Sequence, residues 1–84
     1  MRYCVILPKS VQKKLDRLPD DTANRVLARL AALETNPRPP DVKKLKGREG
    51  WRIRIGDYRV IYEIYDSTAQ VIVITVGHRR EVYQ

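Results

Sequence analysis

Arg52, Arg54 and Arg59 lie close together in the segment Trp51-Arg52-Ile53-Arg54-Ile55-Gly56-Asp57-Tyr58-Arg59, where basic and apolar residues alternate. Guanidinium groups present planar forks of donors that match phosphate oxygens, and they hold their charge at any workable pH. Such a set binds an anion but does not accept a proton. A second cluster, Gly77-His78-Arg79-Arg80-Glu81-Val82-Tyr83, brings the chain's one histidine, further arginines and a phenol. Imidazole is the side chain whose ordinary pKa lies nearest neutrality, and a tyrosine can stack on a base. Lys43, Lys44, Lys46 and Arg48 precede the arginine segment, so residues 43–59 hold seven basic residues against two acids and supply +5 of the chain's net +7. A charge so concentrated predicts a phosphodiester-binding surface fed by a basic loop.

The elements that must position these residues follow from periodicity. Tyr3 to Leu7 is a short β-branched and apolar run ended by Pro8, a strand leading into a helix, with Cys4 expected as a buried strand residue. Val11, Leu15 and Leu18 recur at helical spacing. Pro19-Asp20 breaks that helix and starts another, with Asp20 as N-cap and an apolar stripe of Ala23, Val26, Leu27, Leu30 and Leu33. Asn36-Pro37-Arg38-Pro39-Pro40 ends the helical half, because prolines sustain neither helix nor ladder hydrogen bonds. Strands follow from Trp51 to Ile55, from Tyr58 to Tyr65 and from Gln70 to Val76, separated by turns at Gly56-Asp57 and Asp66 to Ala69. A short extra strand is expected between Val42 and Lys46. The fold class is α+β, one domain over residues 1–84 in the order βααβββ(β), with a helical hairpin on one face of a largely antiparallel sheet.

A two-residue turn at Gly56-Asp57 fixes a register in which Ile55 opposes Tyr58, Arg54 opposes Arg59 and Arg52 opposes Ile61. Arg52, Arg54 and Arg59 then share the helix-free face, while Trp51, Ile53, Ile55, Tyr58, Val60 and Tyr62 face the helices. Directly opposed like charges destabilise a sheet by roughly 0.2–1 kcal/mol, so an Arg54/Arg59 pair calls for an external anion between them. Continuing the register places Val76 beside Arg59 and brings His78 and Arg79 out at the edge of the arginine cluster.

One cysteine and one histidine provide neither a disulfide framework nor a zinc site, and no phosphate-binding glycine loop or nucleophile elbow is present. No metal and no cofactor are therefore expected. The apolar stretch at the N-terminus is too short for a signal peptide and no run is long enough to span a bilayer, which makes the cytoplasm the expected compartment and a membrane an unexpected partner.

The element order, Lys44-Leu45-Lys46-Gly47, the strand Trp51 to Ile55, Tyr58-Arg59-Val60-Ile61-Tyr62 and above all Val76-Gly77-His78-Arg79-Arg80-Glu81-Val82-Tyr83 resemble the RelE/ParE toxin superfamily, on its RelE side, over essentially the whole chain. The resemblance implies a microbial-RNase-like fold and a type II toxin, a ribosome-dependent endoribonuclease that cleaves mRNA in the A site and inhibits translation. It implies an active site at Arg52, Arg54, Arg59, Arg79 and Tyr83, with His78 where other members hold a lysine. It also implies a cognate antitoxin with an acidic or amphipathic helical segment, and the ribosome with its mRNA as target. No additional C-terminal helix is expected after Gln84.

The chemistry so implied is metal-independent transesterification, in which the ribose 2′-hydroxyl attacks its own 3′-phosphate. Arg52, Arg54 and Arg59 would stabilise the added charge, and Tyr83 would stack on a base. Relatives with lysines on the active strand can use one as a base, which guanidinium cannot do. His78 is then the first proton-transfer candidate, as acid to the 5′-oxygen, and Asp41, at the spacing of the carboxylate base in YoeB-like toxins, is the second. Two other activities fit the same fold, a ParE-like toxin that poisons DNA gyrase and a basic RNA-binding module that does not cut.

Overall fold

The structure, a computed structural model, describes residues 2–78. Strand β1 (Cys4–Ile6) leads into helix α1 (Lys9–Asp16) and helix α2 (Asp20–Ala32), followed by β2 (Lys43–Lys44), β3 (Trp51–Ile55), β4 (Tyr58–Tyr65) and β5 (Gln70–His78). The five strands form one sheet in the order β1-β5-β4-β3-β2, antiparallel throughout except for the parallel β1–β5 pair. This is the expected α+β architecture, and the short extra strand falls at Lys43–Lys44.

Alternation along the strands aims one set of side chains at the helices. Ile53, Ile55, Val60, Tyr62, Val71, Val73 and Val76 are buried with Val11 and Leu15 of α1 and with Val26, Leu30 and Leu33 of the α2 segment. Leu27 is excluded from that stripe and is 43% exposed, because it lies a full residue step away from the line through Val26, Leu30 and Leu33. Asp20 is the first residue of α2 rather than its cap; Pro19 holds the cap position without a side-chain hydrogen bond, and Asp20 and Asp21 instead place negative charge at the positive end of the helix. Cys4 is exposed, contrary to expectation, because β1 is an edge strand and the alternation turns Val5, not Cys4, toward the core.

Between β3 and β4 the pairing is the one the turn dictates: Ile55 with Tyr58, Arg54 with Arg59, Ile53 with Val60, Arg52 with Ile61 and Trp51 with Tyr62. Gly56 adopts φ +59°, the left-handed conformation that favours glycine at the first position of such a turn. Between β4 and β5 the register departs from expectation. Tyr62 pairs with Val73 but Ile61 pairs with Thr75, so Ile74 is an extra residue in β5. Beyond this bulge Arg59 lies opposite Gly77, not Val76, and Tyr58 lies opposite His78.

Candidate nucleic-acid interface

The face of β3 and β4 turned away from the core carries Arg52, Arg54 and Arg59. β2 adds a fourth cation, because Lys43 pairs directly with Arg52. The sheet thus holds two directly opposed cation pairs, Lys43/Arg52 and Arg54/Arg59, on one face. Arg54 and Lys43 are exposed, while Arg52 and Arg59 are half-buried. Like charges this close repel, and an anion between them would relieve the repulsion.

Lys44 belongs to the other face. It opposes Trp51, its Nζ lies 5.8 Å from the Trp51 ring centroid, and it donates to the Arg48 carbonyl at 3.2 Å. Lys46 and Arg48 are exposed in the loop between β2 and β3. That loop is anchored by an apolar residue: the Leu45 amide donates to the Gly50 carbonyl at 3.0 Å, and the Leu45 and Ile61 side chains approach Gly50 together. A Cβ at Gly50 would meet Leu45 Cδ1 at 3.1 Å, and its φ of +133° is strained for any other residue. Ile61 is only 7% exposed although it lies on the arginine side of the sheet. The basic loop is therefore fixed at Gly50 against Ile61, on the arginine side of the sheet.

His78 is brought to the same end of the sheet as Arg54 and Arg59, but to the opposite side. Directly opposed residues share a face, so His78 lies with Tyr58, whose ring meets the imidazole edge-on at 5.6 Å and 77°. The bulge at Ile74 is the cause, since one extra residue reverses the alternation. Asp41 does not join the arginines either. Its Oδ2 accepts from Arg29 Nη2 of α2 at 2.7 Å, and this hydrogen bond holds the carboxyl below its ordinary range. Arg79 and Tyr83 lie outside the described residues.

Some charged residues were silent in the sequence. Arg38, from the proline-rich turn, forms a two-pronged pair with Asp66 at 3.2 and 2.9 Å and lies 5.4 Å from the Trp51 ring centroid, while the Tyr3 hydroxyl donates to Asp66 at 2.7 Å. The Arg38 bond, then the Tyr3 bond, lower the Asp66 pKa. Arg25 of α2 places both terminal nitrogens 3.7 Å from where a Gly56 Cβ would sit. Nothing along the chain reveals that contact, since Arg25 is off the apolar stripe and three elements away from the turn it covers.

Among the described residues no three His, Cys, Asp or Glu side chains group as a metal would require, and no helix is long and apolar enough to cross a membrane. The fold and site together define a class: a small α+β domain that buries its core under one sheet face and presents paired cations on the other. Comparison with known proteins makes this particular. Residues 5–83 match the family described as the ParE toxin of type II toxin-antitoxin systems. A Methanocaldococcus jannaschii protein named for the toxin RelE1 is 33% identical over the whole of this chain and 98% of its own length. The toxin in the archaeal RelE–RelB complex of Pyrococcus horikoshii is 35% identical, with a TM-score of 0.84 over 94% of this chain and 97% of that one. A second antitoxin–toxin complex, RelB–RelE of Methanococcus jannaschii, matches at 27% identity and a TM-score of 0.75 over 93% and 94% of the two chains. The chain belongs to the ParE toxin family, within the RelE/ParE superfamily that its motifs resemble.

Proposed function

We propose that this member of a toxin family is a RelE-type endoribonuclease that cleaves mRNA in the ribosomal A site and is held inactive by an antitoxin in the cytoplasm. The observation that carries the reading is the pair of directly opposed cation couples, Arg54/Arg59 and Lys43/Arg52, on the helix-free face. In the reaction the 2′-oxygen bonds to the adjacent phosphorus while the bond to the 5′-oxygen breaks, leaving a 2′,3′-cyclic phosphate and a 5′-hydroxyl. The 2′-hydroxyl loses a proton and the 5′-oxygen gains one. Arg52, Arg54 and Arg59 stabilise the charge that grows on the phosphoryl oxygens, and the resemblance to RelE adds Arg79 to that role and a base-stacking role for Tyr83. Lys43, Lys46 and Arg48 hold flanking phosphates, and Lys44 stiffens the loop through Trp51.

Proton transfer is the weak part of this equipment. His78 has the right chemistry, yet its place opposite Tyr58 sets it around the sheet end from Arg54 and Arg59, and Asp41 is engaged by Arg29. A site with strong anion binders and displaced proton carriers depends on its target for alignment, which favours a ribosome-dependent nuclease over one that cuts free RNA. The relatives named RelE, and their crystallised complexes with RelB, support a RelB-like antitoxin whose acidic residues would cover the cationic face.

Primer extension on translated mRNA tests the reading. The wild type is expected to cut in the A site, Arg54→Ala and Arg59→Ala to lose on the order of 10²–10³ in rate, and His78→Ala to lose less than about tenfold, below the range of general acid catalysis. Absence of cuts by the wild type overturns the nuclease assignment; gyrase-linked DNA breaks in its place would establish the ParE-like activity, and RNA binding alone the non-catalytic one.

A further inference from the structure

We infer that the exposed face of helix α1, with Lys9, Lys13 and Arg17 as its contact residues, is a second RNA-binding surface that takes the phosphate backbone of double-helical RNA, apart from the sheet face proposed to grip a single strand. The choice of RNA rests on the reading above; the surface itself shares no residue with that site.

The helix builds this surface. Val11 and Leu15 are buried, and Lys13, two residues from each, is carried to the opposite side of the helix. Lys9 and the capping residue Arg17, which keeps helical dihedrals (φ −89°, ψ −9°), stand four residues before and after it. Three exposed cations thus follow one line about 12 Å long. Asp16 is the one acid in the helix, and Lys9, Lys13 and Arg17 make no ion pair among the described residues. Like charges four residues apart on a helix repel, and a polyanion laid along the line would relieve that repulsion. The helix dipole accounts for Lys13 and Lys14 in the last turn, but it opposes Lys9 in the first, which holds no acid; α2, by contrast, begins with Asp20 and Asp21.

Position separates the two surfaces. Helix α1 packs against β5, and Lys14 Nζ donates to Thr75 Oγ1 of that strand at 2.9 Å. The line of cations therefore lies on the helix side of the sheet, while Arg52, Arg54 and Arg59 lie on the other. Composition selects the occupant. Surfaces for single strands combine cations with aromatic rings on which bases stack, and the exposed side of α1 offers no ring, only Lys9, Ser10, Gln12, Lys13, Asp16 and Arg17 beside the tethered Lys14. Double-helical RNA stacks its own bases and presents phosphates and 2′-hydroxyls, which ammonium, guanidinium, hydroxyl and amide groups contact without reading sequence. A lipid surface would need an apolar stripe, and that of α1 is buried in the core. One molecule would then hold a folded RNA by its helix and a flexible strand by its sheet.

The test is fluorescence anisotropy with two probes, an RNA duplex of about 16 base pairs and a single-stranded 2′-O-methyl tetranucleotide. Lys9→Gln/Lys13→Gln is expected to weaken the duplex about tenfold or more, to reduce its slope of log K against log salt by about 1.8, and to leave the single strand unchanged. Arg54→Ala should do the reverse. Lys9→Arg/Lys13→Arg should bind the duplex as the wild type does, and Arg2→Gln/Arg25→Gln, which loses the same net charge elsewhere, should bind it nearly as well. If Lys9→Gln/Lys13→Gln keeps wild-type affinity and salt slope, or if the charge-matched variant loses as much, the α1 surface is refuted. Equal or tighter binding of a DNA duplex of the same sequence overturns the choice of RNA, and tighter α1-dependent binding of poly-glutamate assigns the face to an acidic protein segment instead. If only the α1 variant loses affinity and Arg54→Ala changes neither probe, the inference stands and the reading of the arginine face falls.

Discussion

Replacing Arg54 by glutamine should make the protein more stable and less active at once. Arg54 is exposed, makes no ion pair among the described residues and stands directly across the ladder from Arg59. Like charges at such a position cost roughly 0.2–1 kcal/mol. For a domain of this size 1 kcal/mol moves Tm by about 4–8 °C, so removing one charge is expected to raise Tm by about 1–8 °C at low salt. The gain should shrink as the Debye length falls from about 30 Å at 0.01 M to about 3 Å at 1 M. Arg54→Lys, which keeps the charge and loses the fork, should show no such gain while still losing activity. The assay is a pair of calorimetric melts at the two ionic strengths beside primer extension on the same preparations. A lower Tm for Arg54→Gln at low salt, or a gain untouched by 1 M salt, would refute the claim that Arg54 and Arg59 repel each other across the ladder.

Other parts of the fold yield further expectations. Tyr62 is fully buried and its hydroxyl donates to the Pro37 carbonyl at 2.8 Å, so Tyr62→Phe should cost about 0.5–1.5 kcal/mol in chemical denaturation. Burial first, then the Asp41 charge, push the Tyr62 pKa up to about 12; the unfolded chain ionises near 10, so stability present below pH 10 should be lost as pH rises toward 12, and less steeply in the phenylalanine variant. Asp66 runs in the opposite direction: its folded pKa is lowered by Arg38 and Tyr3, so its contribution is present above the ordinary carboxylate range and lost as pH falls below it, and Asp66→Asn should flatten the acid limb of a Tm profile. Deleting Ile74 should leave the fold intact, because the bulge already pairs Ile61 with Thr75; deleting Ile72 should cost stability, since it would turn Val73 out of the core and set Ile74 in its place opposite Tyr62. A circular-dichroism comparison of the two deletions decides that point.

The contrast between the two hairpins explains how much of this site was legible in sequence. Gly56-Asp57 is a tight turn whose length fixes the register, and all five pairs between β3 and β4 follow from it, including Arg54 with Arg59. The β4–β5 connection, a 3-10 turn at Asp66–Thr68, sets the register equally well at Tyr65 and Gln70, yet that register survives only to Tyr62 and Val73. The residue that breaks it, Ile74, is as β-prone and aliphatic as its neighbours, so no local preference marks it. What marks it is the core: Val71 and Val73 face the helices before the bulge and Val76 after it, a change of parity visible once burial is known. The exposure of Leu27 and the ion pairs of Asp41 and Asp66 are likewise decided by contacts between segments far apart in the chain.

The bulge also accounts for the division of labour at the sheet end. The arginine side of the sheet end offers strong anion binders, and the imidazole lies with Tyr58 on the other side. Neither side alone equips a free-standing ribonuclease, since electrostatic stabilisation without alignment leaves the 2′-oxygen free to sample unproductive geometries. An RNA held by its host in the reactive geometry would supply the missing alignment. On the proposed reading, dependence on the ribosome would follow from where one inserted residue turns His78, and a variant that restored the imidazole to the arginine face should gain cleavage of free RNA relative to the wild type.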